Sequence, residues 1–155
     1  MALHSGSALI GNKGSAQRLD YGLVGDLINA AARVESLTKY YGALFLITRE
    51  AYTRLSQPPA VRLIDKVIVK GKTTALELLE VKHPHSPDHF DETLERYNEA
   101  FVEYERGNFV VAERMFAALG NEKQDKPSLL MAERCQELAA DPPKNWNGIY
   151  HLTTK

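Results

Sequence analysis

Paired cysteines, long apolar runs and an excess of charge of one sign are all missing from this 155-residue sequence. The single cysteine, Cys135, excludes a disulfide within the chain and is typical of a reducing compartment. No apolar run is long enough to cross a bilayer, and the N-terminus lacks the basic and apolar regions of a secretion signal. These absences predict a soluble cytoplasmic protein, or a cytoplasmic portion of a larger one.

The charges are nearly balanced, with 19 basic and 20 acidic residues and a formal net charge of −1. A sequence pI near 6.5 gives no basic surface for nucleic acid or an anionic membrane, so neither is expected as a partner. No cysteine and histidine spacing resembles a zinc site, and no Ser-His-Asp grouping stands out. Any signal for function therefore lies in local motifs and not in the overall composition.

The first part of the chain mixes strand and helix signals. A hairpin is predicted around the glycine-rich turn signal at residues 11–14. The other predicted elements, in chain order, are a helix from Asp26 to about Tyr40 ending near Gly42, a strand over 43–47, a brief helix capped by Thr48, and strands within 61–69 and 76–81. The last two strands are joined by the loop 70–74, so we expect them to pair antiparallel.

The composition changes after Val81. Residues 83–87 read as a linker rich in proline and histidine, and three helical patterns follow within 88–140. The first has an aromatic stripe, which predicts a buried face, and the three together resemble a tetratricopeptide-like helical hairpin plus one more helix. One such unit rarely stands alone, so we expect it to pack on the preceding domain or on a partner.

The helix beginning at Asp26 carries two polar residues of special interest. Asn29 and Arg33 lie four positions apart and so share one helix face. An amide and a guanidinium beside a helix N-terminus suit a sugar hydroxyl and a phosphate. The alternative is that both residues simply face solvent.

The surrounding motif decides between these interpretations. Residues 18–35 read R-L-D-Y-G-L-V-G-D-L-I-N-A-A-A-R-V-E. This segment resembles the signature of class III nucleotidyl cyclases, the adenylate and guanylate cyclase catalytic domain, which is close to R-x-D-Y-T-x-I-G-D-x-V-N-x-A-A-R-L-E. His4-Ser5-Gly6 and residues 10–15 resemble the family's H-T-G and G-N-I-G-S motifs, and residues 69–72 fit its V-K-G-K.

The resemblance implies an α+β, ferredoxin-like cyclase domain with a mostly antiparallel sheet. Residues 1–82 correspond to its C-terminal half, 83–87 to a linker and 88–155 to a helical extension and tail. In this family two subunits pair head to tail, which implies a homodimer or another oligomer. ATP, or alternatively GTP, is converted into a cyclic nucleotide and pyrophosphate with the help of two divalent metal ions, Mg or Mn.

The roles of individual residues follow from the same resemblance. Arg33 matches the position that neutralises charge on the α-phosphate, and Asn29 matches the position that orients the ribose. Lys70 matches the lysine that holds the departing β- and γ-phosphates, the alternative being an ordinary turn lysine. Asp26 matches the family's G-D position, where capping of the helix is a sufficient explanation.

Gly22 is a departure from the family pattern. Adenylate cyclases usually carry Thr or Asp at this position, whose oxygen bonds the purine edge, whereas glycine has no side chain to read a base. Leu23 still offers backbone groups beside the purine. Guanine is therefore an open alternative to adenine, and glycine also has a plain explanation in easing the turn between strand and helix.

The family's two metal-binding aspartates and its purine-selecting residue lie N-terminal to the H-T-G motif, where this chain begins. We therefore expect no metal ligands in this chain and no cyclic nucleotide formation by these 155 residues alone with Mn²⁺. Two alternatives to a catalytic role remain: a cyclase-like module that only binds nucleotide, and an interaction module in which the helices within 88–140 bind a protein.

Overall fold

A computed structural model describes the backbone of residues 1–6, 9–15, 18–24 and 26–152, and the side chains of residues 1–6 and 30–152. The described elements, in chain order, are β1 (Ala2–Leu3), β2 (Leu9–Ser15), β3 (Arg18–Val24), α1 (Asp26–Tyr41), β4 (Leu46–Thr48), α2 (Arg49–Tyr52), β5 (Val61–Val69), β6 (Leu76–Val81), α3 (Phe90–Glu105), α4 (Phe109–Lys123), α5 (Lys126–Ala140) and β7 (Tyr150–Leu152). The fold is α+β, as the sequence predicted.

The main sheet has five strands in the order β1-β4-β6-β5-β7. Its centre is antiparallel, since β6 pairs antiparallel with both β4 and β5. Both outer strands pair parallel, β1 with β4 and β7 with β5. The predicted pairing of β5 with β6 is confirmed, whereas the mostly antiparallel sheet is more accurately a mixed one. Parallel pairing needs a long crossover, and helical segments provide it on both sides: α1 lies between β1 and β4, and α3 to α5 precede β7.

The hairpin formed by β2 and β3 is a separate two-stranded sheet, and its existence confirms the sequence prediction. The predicted turn at residues 11–14 is wrong, because these residues lie within β2. Gly11 pairs with Gly22 and Gly14 pairs with Leu19, so the two strands continue through the glycines. Continuous pairing over seven residues outweighs the modest cost of glycine in a strand, about 0.5–1 kcal/mol each.

The end of α1 at Gly42 is confirmed. Gly42 adopts a φ of +70°, which L-amino acids with side chains rarely adopt, and the Ala43 amide donates to the carbonyl oxygen of Thr38 (3.0 Å). A Cβ atom at Gly42 would also lie 2.8 Å from Cβ of Lys126, the first residue of α5. Glycine is therefore required both by the backbone and by the neighbouring helix.

Helices α3 to α5 pack against the main sheet and share its hydrophobic core. The aromatic stripe of α3 is buried as predicted, and the Tyr97 hydroxyl donates a hydrogen bond to the Ile64 carbonyl of β5 (2.8 Å). The predicted boundary at 83–87 stays a prediction, as does the tetratricopeptide likeness. The structure adds that residues on both sides of this boundary form one core.

The second helix of this group, α4, is longer than the apolar pattern over residues 109–119 predicts. It passes through Gly120 and ends at Lys123, with Gln124 in a left-handed conformation (φ 54°). Gly120 is needed for packing, because a Cβ there would lie 2.7 Å from Cδ2 of Leu129 on α5. A glycine that normally signals a helix end here allows two helices to approach closely. Among the helices the structure describes, none has the length and apolar character to cross a membrane.

Candidate functional site

Arg33 lies at the middle of α1 and reaches the turn that follows β5. Its Nη1 donates a hydrogen bond to the carbonyl oxygen of Lys70 at 2.9 Å, across a sequence separation of 37 residues. One face of the helix is buried through Val34 and Leu37, which fixes α1 against the core. The structure therefore brings together two residues that lie in separate motifs of the cyclase resemblance.

The turn at Lys70 and Gly71 is tight. The Lys72 amide donates to the carbonyl oxygen of Val69 (3.0 Å), and Gly71 has a φ of +78° that favours glycine. A Cβ at Gly71 would lie 4.0 Å from Nη2 of Arg33, which shows how closely the guanidinium approaches this turn. The Lys70 side chain itself is exposed at the rim.

A pocket of about 500 Å³ opens beside this contact. Its lining residues are Arg33, Ser36, Leu37, Tyr40, Val69, Lys70, Gly71 and Leu152. Ser36, Leu37 and Tyr40 had no role predicted from the sequence, although their spacing from Arg33 places them on the same helix face. No local signal pointed to Leu152, since it comes from the last strand and reaches the pocket only through its pairing with Val69.

The pocket combines positive charge with apolar walls. Within the described residues, neither Arg33 nor Lys70 has a carboxylate partner. The Arg33 guanidinium donates instead to the carbonyl oxygen of Lys70. Two cations without an opposing carboxylate leave donors available for an anion, and the guanidinium has five N–H groups of which one is engaged here. The geometry therefore suits a ligand with several anionic oxygens.

Comparison with curated proteins gives one consistent name. The chain is 42% identical over 85 residues to an adenylate cyclase of Anabaena cylindrica, which covers 53% of this chain and 17% of the relative. It is 33% identical over 79 residues to adenylate cyclase 1 of Rhizobium meliloti, covering 51% and 12%. It is 30% identical over 142 residues to the terminal-differentiation specific adenylate cyclase of Dictyostelium discoideum, covering 87% and 7%.

The three relatives confirm the resemblance of this chain to part of a class III nucleotidyl cyclase domain. It spans less than a fifth of the length of each of these three relatives. No family model matches the chain. Among solved structures, a bacterial light-regulated adenylyl cyclase is 25% identical and covers 51% of this chain and 22% of that chain, with a TM-score of 0.43.

Four of the predicted site residues, all within the cyclase signature, have described backbones only. Gly22 and Leu23 lie in β3, opposite Gly11 and Ile10 of β2. Asp26 is the first residue of α1, and Asn29 lies one turn further along that helix. Their side chains fall outside the described part of the structure, so their roles at the ribose, the base and the helix cap stay predictions.

The histidine of the H-S-G motif contacts Thr48 at the end of β4. Nδ1 of His4 lies 3.1 Å from the Thr48 hydroxyl, and that hydroxyl also accepts from the Ala51 amide (3.4 Å) as the N-cap of α2. The motif therefore links the first strand to the end of β4. This contact lies in a part of the sheet to which neither Arg33 nor Lys70 belongs.

The described residues do not offer a metal site. No group of three or more histidine, cysteine, aspartate or glutamate side chains lies together within residues 1–6 and 30–152 in a way that could hold an ion. The residues described here therefore do not fit the metal ions implied by the cyclase resemblance.

Proposed function

We propose that this chain is part of an adenylate cyclase, which forms cyclic AMP and pyrophosphate from ATP as an intracellular signal. The observation that supports it most is the contact between Arg33 and the Lys70 carbonyl at the edge of a pocket of about 500 Å³. All three relatives are named adenylate cyclases, which favours ATP over GTP as the substrate. The proposed location is the cytoplasm and the proposed assembly is a homodimer.

Arg33 acts on the reacting phosphate in this proposal. When the ribose 3′-hydroxyl attacks the α-phosphate, negative charge builds on the phosphate oxygens, and a fixed fork of donors stabilises it better than a lysine would. The hydrogen bond to the Lys70 carbonyl holds one arm of the fork, so the remaining N–H groups are presented in a defined direction. Asn29, one turn earlier on α1, orients the ribose.

Lys70 acts on the leaving group. Its ammonium is a mobile point charge at an exposed rim, which suits the β- and γ-phosphates as they separate from the nucleotide. Because Arg33 is anchored to the backbone of the same residue, the two cations lie at one turn and can bind neighbouring phosphates of one triphosphate. Positioning of this kind, together with charge stabilisation, is the main requirement of such a reaction.

A chimera tests the proposal. The matched segment of the Anabaena cylindrica cyclase is replaced by the corresponding segment of this chain, and cyclic AMP formation from ATP is measured with Mn²⁺. We expect turnover, and we expect Arg33→Ala to lower it about 100- to 1,000-fold, as loss of one stabilising donor does. Arg54→Ala is the control, since Arg54 forms only an exposed pair with Glu50.

Two results would contradict the proposal. A folded chimera without turnover would show that this segment does not support the reaction. A chimera whose turnover is as insensitive to Arg33→Ala as to Arg54→Ala would show that Arg33 does not act on the phosphate.

A further inference from the structure

A buried polar cluster lies behind the Arg33–Lys70 site. Its four members are Tyr41, Asp65, Arg134 and Tyr150, from α1, β5, α5 and β7. Asp65 and Arg134 form an ion pair, with side chains 0% and 3% exposed. The Tyr41 hydroxyl donates to Oδ2 of Asp65 (2.5 Å), and Nη2 of Arg134 donates to the Tyr41 oxygen (3.3 Å). The guanidinium carbon of Arg134 lies 3.9 Å from the centre of the Tyr150 ring.

The cluster joins the elements that form the site. Tyr41 is the last residue of α1, the helix that carries Arg33, and Asp65 belongs to the strand that leads into the Lys70 turn. Tyr150 begins β7, whose Leu152 pairs with Val69 and lines the pocket. Arg134 is the member that contacts all the others, and it comes from the helical extension rather than from the cyclase segment.

The cluster also reaches the pocket directly. Nη2 of Arg134 lies 3.5 Å from the hydroxyl of Tyr40, which lines the same pocket as Arg33 and Lys70. The Tyr40 ring stands edge-on to the Tyr41 ring, with centres 4.9 Å apart. A displacement of Arg134 would therefore move both the end of α1 and one wall of the pocket.

We propose that Arg134 is a positioning residue for the phosphate site: by tying Tyr41, Asp65 and Tyr150 together, it sets the separation between α1 and the end of β5, and thereby between Arg33 and Lys70. A single planar guanidinium makes all these contacts at once. A lysine would keep the charge but not the planar group, so the elements joined through Arg134 would shift. The inference rests on the proposed function for the roles of Arg33 and Lys70.

The chain contains a matched control cluster on the same strand. Arg62 of β5 is also 3% exposed and pairs with Glu80 (2.6 Å) and with Asp125 (2.8 Å) at the start of α5. Its guanidinium lies over the Tyr97 ring at 4.9 Å. Arg62 thus resembles Arg134 in burial, pairing and attachment of the helical extension, but α1 and β7 take no part in its cluster.

The experiment measures binding of inorganic pyrophosphate to the full 155-residue chain by calorimetry, at a temperature where each variant is folded. Arg134→Lys and Tyr150→Leu are expected to weaken binding about three- to tenfold, in the range found for substitutions that modulate coupling within a network. Tyr150→Phe keeps the ring beneath the guanidinium and is expected to bind as the wild type does. Arg62→Lys is expected to lower the melting temperature while leaving the affinity within about twofold.

The outcomes separate the inference from the proposed function. If the wild type binds no pyrophosphate, or if Arg33→Ala and Lys70→Ala leave binding unchanged, the proposed function is wrong and this inference with it. If those two variants weaken binding but Arg134→Lys has no more effect than Arg62→Lys, the inference alone is wrong. Should Arg134→Lys fail to fold, the comparison of Tyr150→Leu with Tyr150→Phe decides in the same way.

Discussion

Arg33 binds the backbone of Lys70 and not its side chain, through a 2.9 Å hydrogen bond to the carbonyl oxygen. A substitution at Lys70 therefore leaves the acceptor of Arg33 in place. The two cations can be removed one at a time, and each loss should report on a different phosphate.

Arg33→Lys distinguishes charge from geometry. It keeps a positive charge but loses the planar fork, so turnover of the chimera should stay close to that of Arg33→Ala. The measurement is the initial rate of cyclic AMP formation at saturating ATP. A lysine variant that recovers most of the wild-type rate would show that a point charge is sufficient at this position.

Lys70→Ala should weaken the binding of nucleotides that have β- and γ-phosphates and leave the binding of the others unchanged. We expect ATP and pyrophosphate to bind about tenfold or more weakly, since a hydrogen bond to a charged group contributes about 1.5–3 kcal/mol. AMP, which has no β- or γ-phosphate, should bind with unchanged affinity. Titration of the full chain with both nucleotides measures this, with the exposed Lys39→Ala as control. An equal loss for AMP and ATP would contradict the assignment.

Gly42→Ala should destabilise the protein by more than the backbone strain at this position alone. Alanine is disfavoured at φ +70°, and its Cβ would also meet Lys126 at 2.8 Å. Gly107→Ala is the control, because Gly107 has a similar φ of +80° but its Cβ would lie 3.5 Å from the nearest atom, Cδ1 of Trp146. We expect the free energy of unfolding to fall by about 1–3 kcal/mol more for Gly42→Ala, as overpacking does. Equal losses in urea unfolding would show that the helix contact relaxes without cost.

Asp125 should make stability depend on pH in the acid range. Burial alone would raise the pKa of this carboxyl, but the hydrogen bonds and charge of Arg62 outweigh it and hold the pKa below its ordinary value of 3.8. A lowered pKa in the folded state stabilises the protein above that ordinary value, and this contribution is lost as the pH falls through the folded-state pKa.

Asp125→Asn tests this dependence, because asparagine retains the N-cap of α5 while removing the charge. The free energy of unfolding is measured in urea between pH ~3 and ~5. Its decrease with falling pH should be smaller in this variant than in the wild type. Asp91→Asn serves as control, since the Asp91 side chain is 68% exposed in its pair with Lys82. Identical slopes for wild type and Asp125→Asn would contradict the prediction.

Cys135 should react only when the protein unfolds. It is fully buried, and burial raises the pKa of its thiol to about 12 from an ordinary 9.0. The thiolate is the reactive form, so alkylation at pH ~8 should proceed at a rate that follows the unfolded fraction. Because the folded-state pKa is raised, this group also lowers stability once the pH rises above about 9.

A control for this labelling uses an exposed neighbour. Gln136→Cys in a Cys135→Ala background places a thiol on the solvent side of α5 and should react at once. Equally rapid labelling of Cys135 in the native chain would show that this part of the helical core opens readily.

Much of the fold was predictable from sequence because its signals are local. The glycine at 42, the Thr48 cap and the apolar strands within 61–81 each depend on neighbouring residues, and each is confirmed. The turn at residues 11–14 was predicted wrongly, because strand pairing overrode the local preference of glycine. Gly120 lies within α4 for a similar reason, since its contact with α5 determines its role.

The site was predictable only in part. Arg33 and Lys70 stood out through the cyclase motifs, and the structure places them in contact at one turn. Leu152 and Arg134 carry no motif, and their positions depend on pairings and ion pairs between distant parts of the chain. Such contacts are set by tertiary packing, for which a single sequence contains no local signal.

The pairing of β7 with β5 affects the order in which parts of the fold can form. Val67 of β5 meets Tyr150, a partner that is synthesised only after three intervening helices. Until then the edge of β5 next to the Lys70 turn has open hydrogen-bonding groups, which is a recognised risk for association between chains. Contacts so distant in sequence also form slowly, so Leu152, which completes the pocket beside Arg33, should be among the last residues to be ordered.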